Sequence, residues 1–571
     1  DGSMAGAATS ICVPFRSLFF GFGYESIPSE NERLAVMERS LQWLMRAPLT
    51  AGLAVETLGD PLQIGQSGER VTHALRIYHL GMAGLTDTVT LSIGGSAWPA
   101  TLSPTHAMIT PCGSLDAQVV VTIPTGTEID VRSETTVVIR SALTRTRRIV
   151  ALSQKTPAPI LLVDDDRWYP MEDYYTRALQ RAGLAYDLLD TKHNLGGELG
   201  AHSPVTEMLM RYPLVIWFTG YDWYAPVREE EASRLIAYLD QGGGLMLSSQ
   251  SFVMERTDDR LMERLGVWIA NWIPEPTRAA GVAEHPAGGN WGPVDLDYPY
   301  PNWSYTVEPH PEARTIVRGQ EGQPLAIANR GAGADRSPQS LFYAFPLETL
   351  PDDVRVGVIE NGLAWLSPLG ESEWSVGPQD AQRGDILTFT LALDNHASEP
   401  LDVRMTHTLP DGVALTGPLT SGLQHDPSER RLTWQGTLPP GARVPLTWQA
   451  QWMGGGTGGL TATVALTMPE WKLGFERRTA CCEPDGDLDA SHWLPPEGDL
   501  RVRTPVTLAF SLINASPHDL DTGRVSLWVM EGGTPLTATE PLTYGWGASW
   551  WQGSLPAGAS RTLTMPIRGW T

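Results

Sequence analysis

Cysteine is scarce in this chain: Cys12, Cys112, Cys481 and Cys482 are the only four in 571 residues. They do not fall at a zinc spacing, and they are too few to staple a disulfide scaffold. A bond between the neighbours Cys481 and Cys482 would be strained, so geometry favours Cys12–Cys112 or a link to the Cys pair. The pairing and the compartment stay open on this ground. Lysine is scarcer still, with Lys155, Lys192 and Lys472 alone among 41 basic residues. Acids number 65, for a formal charge of −24. Such an acidic surface disfavours general contact with nucleic acid or anionic membranes. No run approaches the roughly 18–20 apolar residues of a membrane span, so no insertion is expected.

What the chain does have is length, turns and repetition. Its size predicts roughly three to five domains of about 100–200 residues. The 57 Gly and 45 Pro supply the turns that all-β modules need. "SLFFGFGYESIP" at 17–28 and "SLFYAFPLETLP" at 340–351 are near-copies. Each leads into a helix-like run with matching anchors, "RLAVMERSLQWL" from Arg33 and "RVGVIENGLAWL" from Arg355. The plan expected is (α/β)–β–(α/β)–β–β, the first α/β unit contributing only its last strand and helix.

The complete α/β unit reads from "PAPILLVDDD", a short buried strand ending in acids, through the amphipathic helix "MEDYYTRALQRAG". "AYDLLD", "YPLVIWFTG" and "GLMLSSQ" are further strands, and "EEEASRLIAYLDQGG" is a helix whose acidic first turn suits the dipole. Apolar strands alternating with helices predict a parallel sheet covered on both faces. Segments 51–156, 374–468 and 485–571 instead alternate with period two between Pro/Gly turns, as immunoglobulin-like β-sandwiches do. The last two share "WQGTLPPGA" at Trp434 and "WQGSLPAGA" at Trp551. The expected domains are therefore 1–48, 49–156, 157–368, 372–470 and 484–571.

Through "ILLVDDD", "EDYYTRAL", "LVIWFTG", "AYLDQGGGLMLSSQ" and "LFYAFPLE", the α/β unit resembles the glutamine-amidotransferase-like, flavodoxin-like domains of large secreted bacterial proteins. Segment 51–156 resembles sandwich modules appended to bacterial glycosidases and proteases. Segment 374–468, through "RGDILTFTLALDN", "VRMTHTLPDG" and "LTWQGTLPPG", resembles the conserved repeat of bacterial cell-surface proteins. Together the resemblances imply an exported, extracellular setting.

The amidotransferase resemblance implies a nucleophilic cysteine on a strand-to-helix turn, with a His and a Glu behind it. Here the turn carries Ser248 and Ser249, and the domain has no cysteine. The family's "FHPE"-type ending reads "FPLE" at 345–348 and "FGYE" at 22–25. The Glu survives, but Pro346 or Gly23 stands at the histidine position and neither can take a proton. A serine variant using His310 is conceivable, though that residue does not match the family position. "ILLVDDD" also resembles the first strand of a phosphoacceptor receiver. Phe218 where the acceptor carboxylate belongs, and no lysine on a fifth strand, exclude that chemistry.

What remains is an acidic turn, Asp164, Asp165 and Asp166, at the strand ends where open parallel sheets hold their ligands. Three like charges need a cation, an Arg such as Arg167 or a helix N-terminus to offset them. A Ca or Mg site is one reading, and a helix-capping Asp with solvated neighbours is the other. "TGYDWY", with Asp222 and Trp223, and "YPYPNWSY", with Trp303, are candidate binding surfaces, set against core-filling aromatics. "PDGDLDAS" places Asp485, Asp487 and Asp489 at calcium-loop-like spacing, but without the later Glu it reads as an acidic linker. No cofactor is otherwise implied.

The function expected is that of an extracellular, non-catalytic structural or adhesive segment of a larger bacterial surface protein or assembly. Its first α/β unit would either pack on its neighbours or be completed by another chain, and the upstream part of the same precursor is an expected partner. The alternative is the C-terminal accessory region of a secreted peptidase, used for spacing or substrate binding. A protein partner or self-association is expected, with carbohydrate as a further candidate.

Overall fold

The computed structural model describes residues 6–9, 12, 16–46, 51–60, 62–81, 85–167, 169–191, 202–255, 260–271, 275–331, 339–379, 381, 384–453, 460–482, 491–494, 505–514, 520–528, 533–535, 543–545, 548–556 and 558–569. The acidic linker at 485–489 and the side chains of Trp550 and Trp551 lie outside the described residues. Two compact units divide the chain: 1–164 with 185–191 and 202–216, and 165–184 with 192–201 and 217–571. Among the described residues no helix is long and apolar enough to cross a membrane.

The first unit opens on a hairpin. Gly6–Thr9 pairs antiparallel with Ser17–Phe20, a 3-10 turn follows at Tyr24–Ser26, and helix α1 runs over Glu30–Leu44. Ser29 caps α1 by accepting the Glu32 amide at 3.4 Å, and Glu30 and Glu32 put negative charge in its first turn. Two sheets then close over one core that includes Leu75, Ile77, Val119, Leu91, Ile139 and Leu152. Alternate residues of the ten-residue strand Arg70–His79 are buried, as period-two patterning predicts. Leu62–Ile64 pairs parallel with Arg147–Lys155, so this module is not purely antiparallel.

Lys155 ends that last strand and is buried. Its Nζ donates to Asp130 Oδ1 at 2.5 Å and to Asp187 Oδ1 at 2.6 Å. Asp187 in turn accepts from the Ala158 amide at 2.8 Å and the Tyr212 hydroxyl at 3.0 Å. Burial works against the ammonium, but bonding and attraction from the two aspartates carry its pKa above the ordinary lysine value.

The α/β sheet has nine strands: β1 (Ile160–Asp164), β2 (Tyr186–Asp190), β3 (Leu214–Phe218), β4 (Gly244–Ser248), β5 (Arg278–Gly281), β6 (Val294–Asp295), β7 (Arg314–Gly319), β8 (Pro324–Asn329) and β9 (Gln339–Tyr343). Their order is β2-β1-β3-β4-β9-β8-β7-β5-β6. β1 with β2, and β4 with β9, are parallel. From β9 onward every neighbour is antiparallel. The expectation of an all-parallel sheet is thus corrected to a mixed one. β5 and β6 run only four and two residues, and β7–β8 carries register shifts at Thr315 and Val317, which blur the period-two signal.

Helices α2 (Glu172–Arg181), α3 (Glu229–Asp240) and α4 (Asp352–Leu366) accompany this sheet. The N-terminus of α3 is held by Glu231, whose Oε2 accepts the Arg228 amide at 2.7 Å. α4 lies so close to the sheet that a Cβ on Gly362 would stand 2.3 Å from Met246 Cε.

Two further pairs of sheets complete the second unit: four and five strands within 373–481, then four and three within 492–569. In the first pair Trp374, Phe389 and Trp448 stack on one sheet, with His407 of the other sheet 5.2–5.5 Å from their centroids. The matching "LPPGA" and "LPAGA" turns have a shared physical basis. Buried Asn395 donates its Nδ2 to Leu438 O at 2.9 Å and Pro439 O at 3.1 Å. Buried Asn514 does the same to Leu555 O at 2.9 Å and Pro556 O at 3.2 Å.

Disulfides join Cys12 to Cys112 and Cys481 to Cys482. The first was among the favoured pairings. The second corrects the expectation against a vicinal bond: the strand ends at Cys481 and Cys482 turns to φ +66°, which brings the two sulfurs together.

Candidate functional site at the ends of the parallel strands

β1 delivers Asp164 as its last residue, followed by Asp165 and Asp166, and all three are buried. They do not point the same way. The Asp165 amide donates to Phe218 O at 3.0 Å, and its Oδ2 accepts Trp217 Nε1 at 3.0 Å. Asp166 Oδ2 accepts the amide of Met171, the residue just ahead of α2, at 2.9 Å, and the helix itself has no side-chain cap. Glu172 is among the acids whose carboxylates gather within 4.8 Å of Asp166, and Asp165 is not. Arg167, a counter-charge considered for the triplet, places its Nε 2.7 Å from Asp222 Oδ2. Gly220 makes the turn possible: it sits at φ +51°, and a Cβ there would be 2.8 Å from Asp166 Cβ.

Asp222 is buried, and its Oδ1 accepts the Tyr224 amide at 2.8 Å. Above it the two aromatic segments of the sequence meet. Tyr221 stacks on Tyr300 at 4.9 Å and lies 5.6 Å from Trp303, and Trp303 meets Trp223 edge-on at 6.5 Å. Trp223, Tyr224 and Trp303 are 48%, 56% and 40% exposed. The structure therefore brings Trp223 and Trp303 together as one surface, with Asp222 as the bracket beneath it.

Beneath this surface lies a closed polar network. Tyr175 donates its one hydroxyl proton to Glu348 Oε2 at 2.7 Å and lies 3.1 Å from Ser248 Oγ, and Tyr300 donates to Glu348 Oε1 at 2.6 Å. Ser248 Oγ also accepts the Leu347 amide at 3.1 Å and faces Phe345 O at 3.4 Å. Ser249 Oγ accepts from Thr219 Oγ1 at 2.8 Å and the Phe252 amide at 3.2 Å. Burial raises the Glu348 pKa, opposed by the bonds from Tyr175 and Tyr300. Burial, reinforced by Glu348, raises that of Tyr175 well above its ordinary value. His310 packs on Trp268, 5.3 Å away. Glu348 was singled out in the sequence through the amidotransferase-like resemblance alone. Tyr175 and Tyr300 were not, because their bonds to it span 173 and 48 residues.

No family model matches the chain, and no curated protein does. Among solved structures it is similar to the type II cohesin dyad of the adaptor ScaA scaffoldin of Acetivibrio cellulolyticus. That similarity has 9% identity and TM-score 0.16, covering 35% of this chain and 85% of that one. Domains D2 and D3 of the major pilin SpaD of Corynebacterium diphtheriae match at 12% identity and TM-score 0.16, over 34% and 74%. The exo-chitosanase CsxA of Amycolatopsis orientalis matches at 9% identity and TM-score 0.26, over 92% and 77%. At such TM-scores these similarities carry no argument about this chain.

Proposed function

We propose that the chain is an extracellular, non-catalytic structural or adhesive segment of a larger bacterial surface assembly. In this reading a flavodoxin-like α/β domain and immunoglobulin-like sandwiches act as rigid beads. The strand order β2-β1-β3-β4-β9 supports the first assignment, and the paired sheets support the second. Two disulfides support an oxidising compartment.

One observation carries the non-catalytic reading. The serine at the inherited nucleophile position is bonded to Tyr175 and the Leu347 amide, and the surviving Glu348 is held by two tyrosines. A nucleophile needs a base within hydrogen-bond reach, and no histidine is among these partners. The exposed Trp223–Trp303 surface supplies the contact face of an adhesive bead.

Treating the full chain with a fluorophosphonate probe tests this reading. No covalent labelling is expected; labelling that disappears in Ser248→Ala or Ser249→Ala would overturn it.

A further inference from the structure

Residues 17–46 and 340–366 are the same structure in opposite surroundings. In the first hairpin Gly6 faces Phe20 and Thr9 faces Ser17; in the second Ala326 faces Tyr343 and Asn329 faces Ser340. That is one register, given the match of "SLFF" to "SLFY". Each strand leads to a 3-10 turn, Tyr24–Ser26 or Leu347–Thr349. In each turn a hydroxyl, of Ser26 or Thr349, donates back to the carbonyl of Gly23 or Pro346. Arg33 reaches back to Ile27 O as Arg355 does to Leu350 O. Trp43 and Trp365 each carry a guanidinium on the ring, Arg16 at 4.8 Å and Arg330 at 4.5 Å.

Burial is where they part. Every residue of 340–350 is buried, and none of 17–27 is. Phe342 is 0% exposed against 70% for Phe19, Ile359 0% against 43% for Met37, and Leu363 3% against 49% for Leu41. α1 buries no residue at all. A local structure formed this completely, with its apolar face left in water, is a docking surface by ordinary hydrophobic accounting.

The intact copy says what fits. Along the edge of β9 opposite β8 runs β4, parallel, with Met246 facing Leu341 and Leu247 facing Phe342. Phe252, just after β4, meets Phe342 edge-on at 5.7 Å. We infer that residues 17–46 are a docking module that completes the parallel sheet of a complementary α/β half, a polypeptide segment not among the described residues. That partner carries the four-strand half of a doubly wound α/β domain, its edge strand apolar like "GLMLS". A second copy of this chain fits less well, because its own β4 edge is already taken by β9. The inference deepens the structural reading above by naming the partner, and rests on it only in treating the chain as part of an assembly.

The test supplies the missing half at high effective concentration. A second copy of residues 158–255 is fused through a flexible linker ahead of the full chain, and amide hydrogen exchange is followed across 17–44. Protection there is expected to rise at least about tenfold over the unfused chain, and Met37→Glu with Leu41→Glu is expected to abolish the rise. Both side chains are exposed in the unfused chain, and unchanged exchange in the sheets of 53–155 confirms that the variant is folded. Unchanged exchange across 17–44 in the fusion overturns the inference. So does a dimer of the unfused chain that Leu41→Glu dissociates, which would make a second copy the occupant. Neither result bears on probe labelling at Ser248, so the two readings fail separately.

Discussion

The two copies of the strand–turn–helix unit differ in one respect, what lies against them, and the difference separates what a sequence encodes locally from what it borrows. Hairpin register, 3-10 turn, arginine latch and Trp–Arg stack are present at both 17–46 and 340–366. All are made within the stretches 6–46 and 326–366, by residues near one another along the chain, so distant context is not needed to form them. Burial is long-range. It comes from β4, α2 and the aromatic layer in the second copy, and the first has no counterpart to them among the described residues.

Paired substitutions break the comparison open. The largest gap is expected at the strand phenylalanines. Phe342→Ala should cost about 3–5 kcal/mol of the α/β unfolding transition in urea, and Phe19→Ala no more than about 0.5 kcal/mol. Next comes the turn glutamate. Glu348→Leu leaves the buried Tyr175 and Tyr300 hydroxyls without an acceptor and should cost about 2–4 kcal/mol, whereas exposed Glu25→Leu should cost next to nothing. Arg355→Ala removes a buried guanidinium from three carbonyls and should cost about 1–3 kcal/mol, more than Arg33→Ala by the same measurement.

The smallest effect is in pH. Burial raises the Glu348 pKa above its ordinary 4.5. The folded state therefore holds that proton more tightly than the unfolded chain. The stabilisation is full below 4.5 and is lost as pH rises through the folded value. Glu348→Gln should flatten this dependence, so the variant gains on the parent as pH rises. Glu25→Gln is the control. Parallel pH profiles for the parent and the Glu348→Gln variant would contradict the burial argument.

The sequence made these strands readable because β1, β3, β4 and β9 each hold three to five consecutive apolar residues and are buried nearly throughout. β5 to β8 went unread, since a two-residue strand such as Val294–Asp295 has no period to detect. At the candidate site residue identity was legible and side-chain direction was not. Asp165 and Asp166 are neighbours, yet one turns to Trp217 and the other to Met171, a split decided by the left-handed backbone at Arg167 and Gly220. The Asn395 and Asn514 clamps were missed because each bonds a turn about 40 residues away. Both carry a visible signal all the same, the recurrence of an Asn at a strand end before a Leu-Pro turn.

Lys155 gives the first unit a mechanical character. An ammonium gripped by Asp130 on one side and Asp187 on the other spans the short connector between the first β module and the sheet that follows. A hinge at that place would have to prise a charge out of its cage before it could swing. Load applied along the chain would pass through this seam as through a weld, and bending would have to occur elsewhere.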